Sequence, residues 1–249
     1  MARPGGVLRT DKAQMERRTP VFIVCSPLPR VGKTLIARLL MEFLSADGRP
    51  VAAFDVNPDN FVLAEQLPRH TAVANIGDTK GQMALFDQLI VADETSKVVD
   101  VGNGCFERFF AVMAEIGFEA EARRRSIAPV VVFVADSDRR SVQAYARLQD
   151  RFPELPLVPA LNAQAATDVR AHRSFRSKYV DIPLQIPVLT PGLKAAVQRA
   201  GFSSHAGDGG TANATVELRA WIRRVFLQFR ELELRLLLEE LKPALRLRA

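Results

Sequence analysis

The chain alternates between short apolar runs and longer amphipathic stretches. Apolar runs rich in β-branched residues predict buried strands, at 20–26, 50–56, 71–76, 96–102, 128–135, 155–162 and 184–189. Apolar residues at helical spacing predict helices between them, from residue 31 to a stop at 47–48 and over 80–92, 105–118, 138–151 and 191–200. Continuous apolar strands that alternate with helices indicate an α/β fold, a doubly wound, mostly parallel sheet with helices on both faces.

The C-terminal segment 216–245 predicts one long amphipathic helix that ends near Pro243. Its apolar positions alternate four- and three-residue steps and form an a/d stripe: Leu218, Ile222, Val225, Phe229, Leu232 and Leu236. Three interpretations stay open, namely a helix packed on its own domain, a dimer or partner helix, and an interfacial membrane helix. Five glutamates on the segment argue against the membrane.

These patterns divide the chain into four parts. Residues 1–18 read as a flexible basic arm, 19–204 as the α/β domain, 205–214 as a linker and 215–249 as the C-terminal helix.

Composition is that of an ordinary folded protein, since 48% of the 249 residues are hydrophobic and 25% are charged. Cys25 and Cys105 do not make a disulfide framework, which favours a reducing, cytoplasmic setting. We expect no secretion signal, because the arginine-containing start has no apolar core. The net charge of +6 permits contact with nucleic acid or anionic lipid without establishing either.

Gly32-Lys33-Thr34 stands between a predicted strand and a predicted helix, the context that a phosphate-binding loop requires. Backbone N–H groups at the start of a helix attract phosphate oxygens. The Lys33 ammonium would bridge the β- and γ-phosphates, and the Thr34 hydroxyl would bind Mg²⁺. The residues expected to hold the nucleotide here are Val31, Gly32, Lys33, Thr34 and Leu35.

The segment 21–60 resembles the opening of the ParA/MinD family of P-loop ATPases. The family motif reads S-x-K-G-G-V-G-K-T, followed by a helix and a strand that ends D-x-D-P. The matching positions are Ser26, Val31, Gly32, Lys33, Thr34, Asp55 and Pro58. The resemblance continues more weakly to about residue 202 and implies a P-loop NTPase fold with ATP and Mg²⁺ as cofactors.

Departures from the motif fall on the groups associated with hydrolysis. Leu28 stands where the family has its signature lysine, and Pro29 and Arg30 replace two glycines. Proline removes a backbone donor, and arginine does not easily take the positive φ that glycine allows. Asn57 replaces the second aspartate of D-x-D, and an amide cannot accept a proton. We therefore expect weak or absent ATPase activity, unless the Arg30 guanidinium takes over the role of the missing lysine.

Other positions acquire roles through the resemblance. Asp55 would hold a magnesium-bound water, or else cap the following helix. Asp100 falls at the Walker B position, where Mg²⁺ would balance its charge, or else is a surface aspartate at a turn. Lys33, Asp55 and Arg30 are thus the candidate catalytic residues. Asn162 falls where the family places an adenine-contacting asparagine, or else is an ordinary turn asparagine, and Pro187 lies in the loop that borders the base. Guanine-selective motifs are absent from the sequence, which favours ATP over GTP.

The resemblance implies a nucleotide-dependent switch that dimerises and positions, segregates or transfers a cargo. Its partners would be a second copy of the chain and a protein cargo or adaptor. Basic segment 169–179 surrounds Phe175 and Tyr179 with Arg170, Arg173, Arg176 and Lys178. It would allow non-specific DNA contact, although we favour a solvated basic loop as its interpretation.

Two further functions stay open. One is a nucleotide-independent scaffold that assembles through the C-terminal helix. The other is an ATP-dependent amide-forming enzyme of the related synthetase group, for which the sequence carries no substrate-site signature.

Overall fold

The computed structural model describes residues 18–165, 174–197 and 212–246. Its strands are β1 Thr19–Cys25, β2 Val51–Val56, β3 Thr71–Val73, β4 Ser96–Val101, β5 Ile127–Ala135, β6 Leu157–Asn162 and β7 Leu184–Ile186. Its helices are α1 Lys33–Ala46, α2 Val62–Gln66, α3 Thr79–Leu89, α4 Phe106–Glu115, α5 Phe118–Arg124, α6 Arg139–Arg151, α7 Pro191–Val197 and α8 Ala212–Arg246. A 3₁₀ turn at Asn103–Cys105 precedes α4.

The strands form one seven-stranded sheet in the order β3-β2-β4-β1-β5-β6-β7, and every pairing is parallel. β1 lies in the middle of the sheet. The chain first adds β2, β3 and β4 on one side of β1 and then adds β5, β6 and β7 on the other side. This reversal makes the carboxyl end of β1 a topological switch point, the place where parallel α/β sheets bind ligands. The predicted doubly wound fold is confirmed.

Two apolar cores cover the faces of the sheet. One contains residues of α1, α2, α7 and α8, and the other contains residues of α3, α4, α5 and α6. Residues of the five central strands, β2, β4, β1, β5 and β6, contribute to both cores, for example Val24 to the first and Ile23 to the second. The strands are therefore apolar on both faces, which explains the unbroken hydrophobic runs.

Helix α8 packs along α1 on the first face. Phe43 of α1 makes edge-on ring contacts with Phe226 and Phe229, at centroid distances of 5.4 and 5.6 Å. Arg49 pairs with Glu233 at 2.6 Å beside this contact. The a/d stripe of α8 thus faces the chain's own domain, as the first of the three interpretations held. The helix begins at Ala212, within the predicted linker, and continues past Pro243 to Arg246.

The other helices and strands begin and end within a few residues of their predicted bounds, but one predicted helix ends early and is followed by a separate helix. The helix predicted over 105–118 ends at Glu115, and Gly117, at φ +61°, begins α5. Neither α2 nor α5 was predicted, because both are too short for a clear apolar period. Residues 1–17, most of the proposed linker, and Arg170 and Arg173 of the basic segment lie outside the described residues.

Candidate nucleotide-binding site

The loop between β1 and α1 leaves the sheet at the switch point. β1 lies between β4 and β5 and is buried except at Pro20, so residue 26 emerges at the centre of the carboxyl edge. α1 begins at Lys33, preceded by Gly32 at φ +99°, and Ile36 N donates to Gly32 O at 3.1 Å. The first amides of α1 have no carbonyl one turn earlier to bind. The structure therefore has the strand, loop and helix start that hold phosphate in P-loop proteins.

Arg30 adopts φ +58°, in the left-handed region. Arginine does not easily take this conformation, yet the loop holds the backbone of residue 30 in the region that glycine usually occupies. Holding a side chain with a Cβ in this region costs about 1–2 kcal/mol. The Arg30 side chain is exposed, and no hydrogen bond or ion pair joins it to the described part of the chain.

Lys33 is folded back over its own loop. Its Nζ donates to Leu28 O at 2.6 Å, and the residue is 8% exposed. Burial lowers the pKa of Lys33, and the nearby Asp100 carboxylate partly opposes that shift. Leu28 itself is 5% exposed and packs into the first core. Where the family has its signature lysine, this chain therefore has a buried leucine that holds the loop against the first core.

Thr34, Asp55 and Asp100 meet beside the start of α1. Thr34 Oγ1 donates to Asp100 Oδ2 at 2.6 Å, across 66 residues of sequence. Asp55 on β2 is the register partner of Asp100 on β4, so both side chains leave the sheet on the α1 face. The two aspartates are 1% and 2% exposed. The structure therefore brings together the three residues predicted as metal ligands.

Asp55 also caps α2. Its Oδ2 accepts hydrogen bonds from Leu63 N at 3.0 Å and Ala64 N at 3.2 Å. The capping interpretation of Asp55 therefore describes one of its oxygens. Oδ1 of Asp55 and Oδ1 of Asp100 are buried and have no hydrogen-bond partner among the described residues. Each aspartate thus retains one oxygen for a cation.

Burial makes both carboxyl groups weaker acids than usual, because it raises the pKa of each. Burial raises the pKa of Asp100 to about 7, the charge of Asp55 adds to that shift, and the Thr34 hydrogen bond and Lys33 oppose it. Burial also raises the pKa of Asp55, against the two α2 amides. Two buried carboxylates on neighbouring strands are costly without a cation.

The donor set fits Mg²⁺ in the way that nucleotide sites use it. In the described ranges no group of three or more His, Cys, Asp or Glu side chains could hold a metal by itself. Magnesium in nucleotide sites is commonly held by one or two carboxylates, with phosphates and water completing its shell. Two carboxylate oxygens and the Thr34 hydroxyl match that partial set.

Asn57 lies at the edge of this site, directly after β2. A Cβ built on Gly102, which follows β4, would stand 2.8 Å from Asn57 Oδ1 and 3.1 Å from Asn57 Cα. Gly102 N donates to Val56 O at 2.9 Å, which joins the two strand ends. Gly102 was not among the predicted site residues. A glycine two residues after an aspartate in an apolar strand is nevertheless a sequence signal that another backbone segment, here Asn57, lies close by.

The residues predicted near the base have other contacts in the structure. Asn162 Nδ2 donates to Val31 O at 3.1 Å. Pro187 O accepts a hydrogen bond from Trp221 Nε1 of α8 at 3.1 Å. Leu35 packs its side chain against the first core, so it offers the site its backbone N–H. Whether Asn162 or Pro187 touches a base stays a prediction.

The described part of the basic segment is not an aromatic platform for nucleic acid. Phe175 is 2% exposed, stacks on Phe133 and contacts Tyr145 edge-on inside the second core. Tyr179 is buried in the first core. Arg176 and Lys178 are exposed, so any contact of these residues with DNA would be made through their charges alone. In the part of the chain that the structure describes, no helix is both long and apolar enough to cross a membrane.

The all-parallel sheet, the loop after its central strand and the buried aspartate opposite Thr34 define a P-loop NTPase fold. Three solved structures have limited similarity to this chain. A nucleotide-binding protein from Archaeoglobus fulgidus in complex with ADP is 13% identical over 73% of this chain and 86% of its own, with a TM-score of 0.49. The septum site-determining protein MinD from Pyrococcus horikoshii, complexed with Mg-ADP, is 14% identical over 81% and 94%, with a TM-score of 0.45.

The third is a de novo designed protein with the P-loop NTPase fold, 14% identical over 63% of this chain and 88% of its own, with a TM-score of 0.35. No family model and no curated protein matches the sequence.

Proposed function

We propose that this chain is a ParA/MinD-like cytoplasmic protein that binds ATP with Mg²⁺ and acts as a switch with slow or absent hydrolysis. One observation carries the proposal: Thr34 Oγ1 lies 2.6 Å from Asp100 Oδ2, with Asp55 as the register partner of Asp100. A chance Gly-Lys-Thr tripeptide would not bring a hydroxyl at the start of a helix together with two buried strand-end carboxylates.

The chain's own groups divide the binding of the phosphates and the metal. Lys33 and the first amides of α1 would hold the phosphate oxygens, and Thr34, Asp55 and Asp100 would face the metal. Bound Mg²⁺ would neutralise the phosphate charge and relieve the repulsion between the two carboxylates. Arg30 is exposed on the same loop, and its permanent charge could reach a phosphate of its own or a neighbouring subunit.

We expect slow turnover because residue 57 is an asparagine and not an aspartate. Its amide packs beside Gly102 at the edge of the site and can neither accept a proton nor bring negative charge to an attacking water. Leu28 offers no cation either, because it is a core residue. The phosphate-binding groups are therefore retained while groups that would promote hydrolysis are missing.

Asp55 connects the proposed metal site to helix α2. Its Oδ2 holds the first turn of α2 through Leu63 N and Ala64 N. Release or tightening of these two bonds would change how α2 is held at the surface, next to Phe61, which is exposed. A surface that responds to the occupancy of the site is what a nucleotide-dependent dimer or a cargo-binding protein requires.

The test is a titration of purified protein with a fluorescent ATP analogue in Mg²⁺, with phosphate release measured in the same samples. Lys33→Ala removes a phosphate-binding ammonium, and Lys80→Ala removes an exposed lysine from α3 as a charge-matched control. Binding that is lost in Lys33→Ala, kept in Lys80→Ala and accompanied by little phosphate release supports the proposal. Absence of binding in the unmodified protein contradicts it, and rapid release contradicts the slow switch.

A second candidate, a scaffold that assembles through α8 without nucleotide, is favoured by the outer face of that helix. While its inner face packs on α1, four leucines remain exposed: Leu227, Leu234, Leu237 and Leu238. The exposed charges of α8 differ along its length. Exposed arginines lie before Leu227, at Arg219, Arg223 and Arg224, and exposed glutamates lie after it, at Glu231 and Glu240. Antiparallel pairing with α8 of a second copy would place arginines opposite glutamates.

Sedimentation without nucleotide tests the scaffold. A dimer that dissociates in Leu234→Glu, but not in the control Met83→Glu on the opposite face of the sheet, supports it. A monomer at all concentrations, or a dimer that needs ATP, contradicts it.

A further inference from the structure

A side chain of α8 closes the outer edge of β7. β7 is the last strand of the sheet, and its Ile186 O accepts a hydrogen bond at 3.0 Å from Ala163 N, directly after β6. Backbone groups of successive residues in a strand point to opposite sides, so those of Gln185 face away from β6. Gln185 N donates to Gln228 Oε1 at 2.6 Å, and Gln228 Nε2 donates to Gln185 O at 2.8 Å. One carboxamide of α8 thus takes the place of a neighbouring strand.

A second residue of α8 holds the loop that continues from β7, residues 187–190. Trp221 Nε1 donates to Pro187 O at 3.1 Å, and Trp221 is buried in the first core. On the other side of the loop, Leu189 N donates to Gln164 Oε1 at 3.3 Å, in the turn that follows β6. The loop 187–190 is therefore held between α8 and that turn.

The loop 187–190 lies at the same edge of the sheet as the phosphate loop, because both follow the carboxyl end of a parallel strand. Asp55 and Asp100, the predicted metal ligands on β2 and β4, lie on one side of β1, whereas β6 and β7 lie on the other. Metal and phosphates would therefore occupy the centre of this edge and its β4 side. The ends of β6 and β7 are left for the part of the ligand beyond its phosphates.

We propose that Gln228 and Trp221 are positioning residues, through which α8 holds the loop 187–190 in place for the nucleoside part of the ligand. This inference rests on the proposed nucleotide binding and gives α8 a part in it. A loop that is already held loses less conformational entropy when the ligand binds, so affinity is higher. Since coupling is reciprocal, bound ligand in turn strengthens the contact of α8 with β7.

α8 offers a matched control at its other end. Glu233 lies about 18 Å from Trp221 along the helix, where it pairs with Arg49 at 2.6 Å. Arg49 directly precedes β2, so this contact lies at the amino edge of the sheet. Glu233→Ala therefore removes a contact between α8 and the domain that involves neither β7 nor the loop 187–190.

The experiment measures the binding of ATP and of inorganic tripolyphosphate, each with Mg²⁺, by calorimetry. Gln228→Ala removes both bonds to Gln185, and Trp221→Phe removes the indole N–H but keeps an aromatic ring in the first core. We expect each variant to bind ATP about fivefold to tenfold more weakly, the scale of one net hydrogen bond, and to bind tripolyphosphate normally. Glu233→Ala should bind both ligands as the unmodified protein does.

Tripolyphosphate distinguishes positioning from a general structural role, because it has no nucleoside to meet the loop 187–190. Unchanged ATP affinity in Gln228→Ala overturns the inference, since the loop would then not depend on α8. Equal losses for ATP and tripolyphosphate overturn it too, because the variant would then disturb the phosphate loop itself. So does a loss of ATP affinity in Glu233→Ala as large as that in Gln228→Ala, which would report a general loosening of α8.

Amide hydrogen exchange tests the contact without ligand. The Gln185 N–H should exchange about tenfold faster in Gln228→Ala, and Gln228→Glu, which keeps an acceptor oxygen, should retain part of the protection. Exchange at the unmodified rate in Gln228→Ala overturns the inference. If the unmodified protein binds neither ligand, the proposed function fails. If it binds both and the variants bind them equally well, only the inference fails.

Discussion

Replacement of Arg30 with glycine is expected to stabilise the protein and to weaken its hold on triphosphate. The reason lies in the backbone, since Arg30 has φ +58° and an exposed side chain. Glycine relieves a strain of about 1–2 kcal/mol. It also makes the unfolded chain more flexible, which takes back about 0.4–1 kcal/mol. The expected net gain in the free energy of unfolding is therefore about 0.5–1 kcal/mol.

The chain offers two matched controls. Glu94 and Ser126 also have positive φ, at 61° and 56°, and lie away from the phosphate loop. Glu94→Gly and Ser126→Gly should change stability on the same scale as Arg30→Gly but leave triphosphate binding unchanged. Arg30→Ala completes the set, because it retains the strain and removes only the guanidinium.

Chemical denaturation gives the free energies, and calorimetry with tripolyphosphate gives the affinities. A gain of this size corresponds to a rise in melting temperature of about 1–4 °C in a domain of this length. A clear loss of stability in Arg30→Gly would refute the reasoning, since the arginine would then make contacts worth more than its backbone strain. Equal affinity in Arg30→Ala and the unmodified protein would show that the guanidinium does not serve the site.

Three further outcomes follow from the site. Gly32→Ala should abolish triphosphate binding and lower the melting temperature, because the new Cβ meets both an unfavourable φ and Asn162; normal binding would contradict the loop geometry. Leu28→Lys should destabilise the protein by about 2–5 kcal/mol in denaturation and not raise phosphate release, since it places a charge in the core. The pKa of Asp100, raised to about 7, means that the folded state without ligand retains a proton that the unfolded state loses near pH 4. Stability should therefore fall as the pH rises from about 4 to 7, and Asp100→Asn should flatten this decline in a series of melting curves while abolishing Mg²⁺-dependent binding.

Much of the site could be predicted from the sequence because it is local. Gly32, Lys33 and Thr34 are consecutive and stand between an apolar strand and an amphipathic helix, so the loop and the helix start follow from neighbouring residues. Asp55 and Asp100 end apolar strands, where a carboxylate calls for a cation. Their meeting with Thr34 depends on strand order, which local pattern alone does not reveal and which the structure shows.

The surroundings of Arg30, Leu28 and Asn162 could be described only with the tertiary structure. Arg30 is held at a positive φ by the loop around it, against the local preference of its side chain. Leu28 became an anchor because the loop folds over the first core. Asn162 meets Val31 across 131 residues, a distance in sequence over which no period or motif operates.

The same division holds for the whole chain. Its hydrophobic pattern determined a parallel sheet with two covered faces, a phosphate loop after the first strand and a long amphipathic helix at the end, because each depends on spacing within one segment. Only the tertiary structure decided that α8 packs on α1 through Phe43 and that Asn162 contacts the phosphate loop. Burial and hydrogen bonding between distant segments select one partner among many that the local pattern permits.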